Sequence, residues 1–338
     1  MQTSSLSSNS PQVSILVPIY NVAKFLPHCL ESLLRQTLTS LEIICINDGS
    51  TDNSLEIIHH FAAQDPRVIV INKLNTGYGD SMNYGLREAK GKYIGILESD
   101  DWIEFDAFQK IFQLAESCQA DIVRANHFRD HTSGESVKNP EILPEDAGFC
   151  FCPRAEKKVF RFGPAIWSQL YRREFLEKHK INFLPTPGAS YQDISFNFKA
   201  WSLAERAILT DEAFVHYLVD NANSSINNPG KVYCVVEEYA EVERFLRESG
   251  LYEQLSGELE VAKFLSYHWN LQRLEPRLAK EFYQRFRAEF VADDQAGLLH
   301  KSDFGQKNWL PLQMILHHPK LAYDLLRARK RIRQHLSR

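Results

Sequence analysis

The sequence predicts an α/β protein: a mainly parallel sheet with helices on both faces, followed by a helical C-terminal region. Three observations carry this. Short, nearly continuous apolar runs alternate with segments of helical apolar spacing over the first 125 residues. The runs are too uniformly apolar for a sheet with one wet face, so both faces must be covered. After about residue 228 the strand pattern stops and only helical patterns remain.

The strands read in order as Val13–Val17, Leu41–Ile46, Arg67–Ile71, Tyr93–Leu97 and Ala120–Ala125. Helical spacing fills the gaps, at 23–36, 52–63, about 79–90 and 105–118. The first of these places Phe25, Leu26, Cys29, Leu30, Leu33 and Leu34 on one stripe. Residues 127–165 are irregular, with Gly134, Pro140, Pro144, Gly148, Pro153 and Gly163, and read as a long functional excursion. Residues 231–249, 252–272, 275–291 and 308–336 read as helices, with Pro276 and Pro311 as boundaries. The domain organisation expected is a disordered tail at 1–12, an α/β domain at 13–228 and a helical appendage at 229–338. The α/β domain divides into a nucleotide half, 13–126, and an acceptor half, 127–228.

In sheets of this kind ligands bind at the carboxyl ends of the strands. The polar features fall there. Tyr20 follows the first strand, Asp48 the second, and Glu98-Ser99-Asp100-Asp101 the fourth. Three carboxylates in four residues repel one another, and a divalent cation relieves that cost. The alternative reading of the cluster is an acidic loop capping the next helix.

Composition excludes other classes. The chain has 338 residues, 44% hydrophobic and 24% charged, with a net charge of −4, which disfavours nucleic acid as a partner. The six cysteines sit mostly in apolar patterns, as buried thiols of a reducing compartment do. Cys150-Phe151-Cys152 lacks a second Cys/His pair at zinc spacing. Residues 1–12 are Ser-rich and no apolar run nears the roughly 20 residues needed to span a bilayer, so a cytoplasmic location is expected. Gly77-Tyr78-Gly79 is followed by Met82 and not by the third glycine of a dinucleotide fingerprint.

An ordered series of motifs resembles the family-2 glycosyltransferases of the GT-A fold, of the bacterial surface-polysaccharide type. It comprises VSILVPIYN at 13–21, LESLLRQT at 30–37, INDGSTDNS at 46–54 and NTGYGDSMNYGL at 75–86. AKGKYIGILESDDW at 89–102, WSQLYRREFL at 167–176, QDISFNFKAW at 192–201 and VHYLVDNANSSI at 215–226 continue it, so that roughly residues 12–228 are covered.

The resemblance implies a transferase that uses a nucleotide diphosphate sugar, a uridine one by the match at Asp48, with Mn²⁺ or Mg²⁺. Asp48 matches the acid that accepts the uracil N–H; the plain alternative is turn chemistry at Asp-Gly. Asp52 reads as a helix-terminal acid. Pro18 and Tyr20 match residues lining the nucleoside. Asp100 matches the metal-binding acid, Glu98 the acid before it, and Ser99 lies between them on the donor side. Asp193 matches the general base, or serves as a helix N-cap. A single base without a nucleophile implies inversion at the anomeric carbon. His216 is a candidate metal ligand or a packed structural histidine. Asp101, Trp102, Trp167, Tyr191 and Gln192 are candidate acceptor contacts, the aromatics also being ordinary core material.

The chain departs from the family's pattern at Asn47, at Glu98 (commonly Asp), at Met82 (commonly Arg) and at Gln192. The acceptor expected is a glycan or a lipid-linked glycan. The basic, apolar-interleaved end, 321–338, allows peripheral membrane contact, internal packing or a dimer contact. Two other classes remain open: a sugar-phosphate nucleotidyltransferase, which lacks its Gly-rich basic loop here, and a non-catalytic nucleotide-sugar-binding protein.

Overall fold

The structure is a computed structural model that describes residues 10–189, 191–221 and 231–336, with side chains up to residue 327. The expected disorder of the tail therefore lies outside the described residues for 1–9, as does 222–226 of the last motif. The chain divides into two compact units, Met1–Ser224 and Ser225–Arg338.

In the first unit the alternation seen in sequence becomes β1 (Val13–Ile19), α1 (Leu26–Leu34), β2 (Leu41–Asp48), α2 (Ser54–Gln64), β3 (Val68–Lys73), α3 (Tyr78–Glu88) and β4 (Tyr93–Ile96). The chain continues through β5 (Trp102–Ile103), α4 (Ala107–Cys118), β6 (Ile122–Asp130), β7 (Ser136–Asn139) and β8 (Cys150–Phe151). It ends with β9 (Gln169–Arg172), α5 (Arg173–Lys178), α6 (Gln192–Leu203) and β10 (Ala207–Leu218). The sheet order is β3-β2-β1-β4-β9-β6-β10-β5, with β7 beside β6 and β8 beside β10. β3, β2, β1 and β4 are parallel, as are β6 and β10, while β9 runs antiparallel between β4 and β6.

Every residue of β1 and β2 is buried, the burial that their unbroken apolar runs require. Val13, Ile15 and Val17 pack on one face with Leu26, Cys29, Leu30 and Leu33 of α1. On the other face Gly85 of α3 lies so close to Leu16 and Ile46 that a Cβ there would fall 2.6 Å from Ile46 Cδ1. The excursion at 127–165 carries β7, β8 and two 3₁₀ turns. Asn126 pins it from β6: its side chain accepts from Ile142 N at 2.8 Å and donates to Ile142 O at 2.8 Å.

The second unit is helical: α7 (Cys234–Glu248), α8 (Tyr252–Arg273), α9 (Pro276–Gln295), α10 (Lys301–His317) and α11 (Pro319–Leu336). Its core is aromatic, with Phe264, Tyr267, Phe282, Phe286, Phe290 and Phe304 buried. Pro311, expected as a boundary, lies inside α10. The break is instead taken by Gly305, whose φ of +62° costs a glycine little, and by Pro319, which opens α11. Among the described residues no helix is long and apolar enough to cross a membrane.

Candidate active site

The carboxyl ends of β1, β2 and β4 form one polar edge. At the end of β1, Pro18 is buried and Tyr20 is 51% exposed, its ring open to solvent. Asn21 (φ +54°) accepts from Thr51 N at 2.8 Å, and Asp52 accepts from Ala23 N and Ser54 N, each at 3.0 Å. Asp52 is thus committed to the turn. Asn47 donates to Asn72 Oδ1 of β3 at 2.8 Å, which binds the two strand ends together.

Asp48 organises the neighbouring turn. One oxygen accepts from Thr76 N at 2.9 Å and from Lys73 Nζ at 2.5 Å; the other accepts from Gly77 N at 2.9 Å. Gly77 has φ +101°, a conformation that favours glycine. Lys73, the last residue of β3, also lies 3.4 Å from Asp80. It supplies a cation at this edge, where Met82 supplies none. The sequence signal for it was a lysine closing a strand at the ligand edge.

Beyond β4, Glu98 accepts from the Tyr78 hydroxyl at 2.7 Å, and Asp100 accepts from Asn221 Nδ2 at 2.7 Å. Burial pushes Glu98 up to about 8, with Asp100 and Asp193 adding repulsion. Ser99 is buried between them.

Asp193 lies in the first turn of α6, after Tyr191, which takes the left-handed conformation (φ +62°). A bulky residue with positive φ is uncommon and belongs to places where the surroundings fix the backbone. Burial pushes Asp193 up to about 7, against bonds from its own and the next backbone N–H. Tyr217, half-buried, feels the charges of Asp101, Asp100, Asp193 and Glu98 together. Its ring stacks on Trp167 at 5.0 Å and 13°. The Trp167–Tyr217 pair is therefore an aromatic wall beside the carboxylates, and Tyr217 went unnoticed in the sequence because a tyrosine in an apolar strand reads as core.

Four of the candidate residues are held by contacts within the protein. His216 does not offer a nitrogen to a metal: Nδ1 faces Asp130 and Nε2 faces Glu104, each at 3.1 Å. Its ring is sandwiched between Trp102 (5.2 Å, 9°) and Phe128 (4.5 Å, 16°). Trp102 also has His28 at 4.8 Å, so its ring contacts two histidines. Asp101 is 1% exposed and accepts from Leu218 N at 2.9 Å, which anchors the end of β10. Its second oxygen has no partner among the described residues, and burial raises its pKa well above the usual carboxylate range. Gln192 is buried and donates to Thr186 Oγ1 at 2.8 Å, tying the approach to α6.

The cluster's chemistry suits a divalent cation. Glu98 and Asp100 repel each other in a partly desolvated place, and a cation would offset that repulsion. Mg²⁺ and Mn²⁺ need only one or two protein carboxylates when phosphates complete the shell. Among the described residues no group of three His, Cys, Asp or Glu side chains is arranged to hold a metal by itself.

The chain resembles known proteins in sequence and in fold. Residues 14–180 match the family model "Glycosyl transferase family 2", and through its first unit the chain belongs to that family. It is 35% identical over 226 residues to the uncharacterized glycosyltransferase EpsJ of Bacillus subtilis (strain 168), covering 65% of this chain and 64% of that protein. The chain thus spans just under two thirds of that relative's length. Among solved structures it resembles S. aureus TarS 1–349 in complex with UDP-GlcNAc (TM-score 0.68, 17% identity, 96% of this chain and 92% of that one). It also resembles the mannosyltransferase PcManGT of Pyrobaculum calidifontis in complex with GDP-Man and Mn²⁺ (TM-score 0.55, 18% identity, 95% and 88%). These likenesses establish the fold, a GT-A-type α/β domain with a helical C-terminal region.

Proposed function

We propose that the protein is an inverting, metal-dependent glycosyltransferase. It moves a sugar from a nucleotide diphosphate sugar, with uridine as the base, to a hydroxyl of a glycan or lipid-linked glycan in surface-polysaccharide synthesis. The observation that carries this reading is the convergence of Glu98 and Asp100 with a single, partly buried base, Asp193, close enough to interact electrostatically.

Tyr20 gives the base a ring face and Asp48 a carboxylate for the uracil N–H. Asp100 and Glu98 would hold Mn²⁺ or Mg²⁺, which when bound neutralises charge on the departing diphosphate. Trp167 and Tyr217 wall the acceptor side. Asp193 takes the proton of the acceptor hydroxyl as that oxygen bonds to the anomeric carbon and the carbon–diphosphate bond breaks. Burial holds Asp193 near neutrality, where a base is effective without being solvated. One displacement by one base inverts the centre, so an α-linked donor gives a β product. UDP-GlcNAc in TarS and Mn²⁺ in PcManGT support the donor class and the cation.

The C-terminal helix supports contact with the cytoplasmic membrane face. Leu321 and Leu325 of α11 are exposed, and the segment carries Arg327, Arg329, Lys330, Arg331 and Arg333. The test of the function is a screen of nucleotide sugars for turnover with Mn²⁺. UDP-sugar turnover that chelator abolishes is expected; turnover of only guanosine or cytidine donors would refute the uridine assignment.

A further inference from the structure

Tyr78 stands where three parts of the site meet. Its hydroxyl donates to Glu98 Oε1 at 2.7 Å. Its backbone N–H donates to Gly188 O at 2.9 Å. Its ring packs edge-on against Phe183, with centroids 6.0 Å apart. The residue before it, Gly77, donates to Asp48. The contact with 183–188 is tight. A Cβ on Gly77 would lie 2.8 Å from Gly188 N, and one on Gly79 would collide with Leu184 O. One turn of α3 further on, Asn83 donates to Phe183 O at 2.9 Å and accepts from Phe183 N at 2.8 Å. The segment so held leads into α6 and Asp193.

We propose that Tyr78 is a positioning residue: it fixes the Glu98 carboxylate through its hydroxyl and locks the donor edge in register with the segment that carries Asp193. The inference rests on the glycosyltransferase reading and assigns this turn a role in it. A carboxylate at the end of a strand has several rotamers open to it; the partly buried Tyr78 hydroxyl selects one before the donor arrives. The phenol suits the task, because it is rigid and brings only one polar atom.

Tyr78→Phe removes the hydroxyl while leaving the ring against Phe183 and the backbone bond to Gly188. The expected result is a donor KM raised about 10-fold, the low end of the range for a hydrogen bond to a charged group, with kcat moved much less. Uniform loss of binding has that signature. A second variant, Glu98→Ala, removes the acceptor and closes a double-mutant cycle. If Tyr78 acts through Glu98, adding Tyr78→Phe to Glu98→Ala changes KM less than twofold. A donor KM for Tyr78→Phe within twofold of the parent, in an equally stable protein, overturns the inference alone, as do effects that multiply in the double variant. A parent protein that turns over no nucleotide sugar overturns the functional reading and this inference together.

Discussion

Asn221 donates its side-chain amide to Asp100 Oδ2 at 2.7 Å, across 121 residues of chain. The carboxylate expected to meet the metal is thus oriented by a residue that follows β10, which ends at Leu218. An oriented carboxylate binds a cation better than one that must first be ordered. Asn221→Ala should therefore raise the Mn²⁺ concentration for half-maximal activity about 10-fold, the usual scale for losing such a supporting bond. Asp100→Ala should abolish metal-dependent turnover. A metal titration of activity checks both, and full activity of either variant in excess chelator would refute the cation's role.

The rate should rise with pH through the titration of the base. Asp193 must be deprotonated to accept a proton, and burial holds it at about 7. The profile of kcat/KM is expected to climb tenfold per pH unit below about 7 and level off above it. A profile flat from pH 5 to 8 would exclude Asp193 as the base.

Stability should run the opposite way. Asp193 and Glu98 are raised in the folded protein from 3.8 and 4.5 to about 7 and about 8. A folded state that holds protons more tightly than the unfolded one loses stability as pH rises across that interval. The metal-free protein should thus melt a few degrees lower at pH 8 than at pH 6, and Mn²⁺ should reduce the difference. Differential scanning at the two pH values, with and without Mn²⁺, decides this. An equal Tm at both pH values without metal would contradict the buried-acid account.

Membrane contact is tested without removing α11, because Ala322 and Leu326 are buried and Arg327 donates to Leu274 O at 3.0 Å. Leu321→Ser with Leu325→Ser, and separately Gln at 329, 330, 331 and 333, should each reduce co-sedimentation with anionic vesicles. Each basic residue near such a surface contributes about 1 kcal/mol, screened within roughly 10 Å at 0.1 M salt. Binding by neither parent nor variants at low salt would make the helix structural.

Much of the parallel half was legible because its periodicity is local. Runs such as Leu41–Ile46 and the stripe from Leu26 to Leu33 declare strand and helix within a dozen residues. The strand ends then put Tyr20, Asp48, Glu98 and Asp100 on one edge without further information. What was hidden depends on long-range pairing. β9 is four residues long and takes its place only by antiparallel bonding to β4 and β6. Trp102 and His216 pair across β5 and β10, 114 residues apart (216 − 102), and that pairing stacks an acceptor-contact candidate on a metal-ligand candidate. Asp101 is drawn inward because the end of β10 needs an acceptor at Leu218 N. Nothing local to Tyr78 shows that the fold brings Glu98, 20 residues on, to its hydroxyl.

The central claim is that Asp193 is the one base of a single displacement, and Asp193→Asn tests it most directly, since the amide keeps the shape and removes the proton acceptor. With a UDP-sugar that the parent turns over, the variant should bind donor with unchanged Kd and transfer at least about 10²-fold more slowly, and the parent's product from an α-linked donor should be β by proton NMR. Transfer retained in Asp193→Asn, or an α product, would contradict the account.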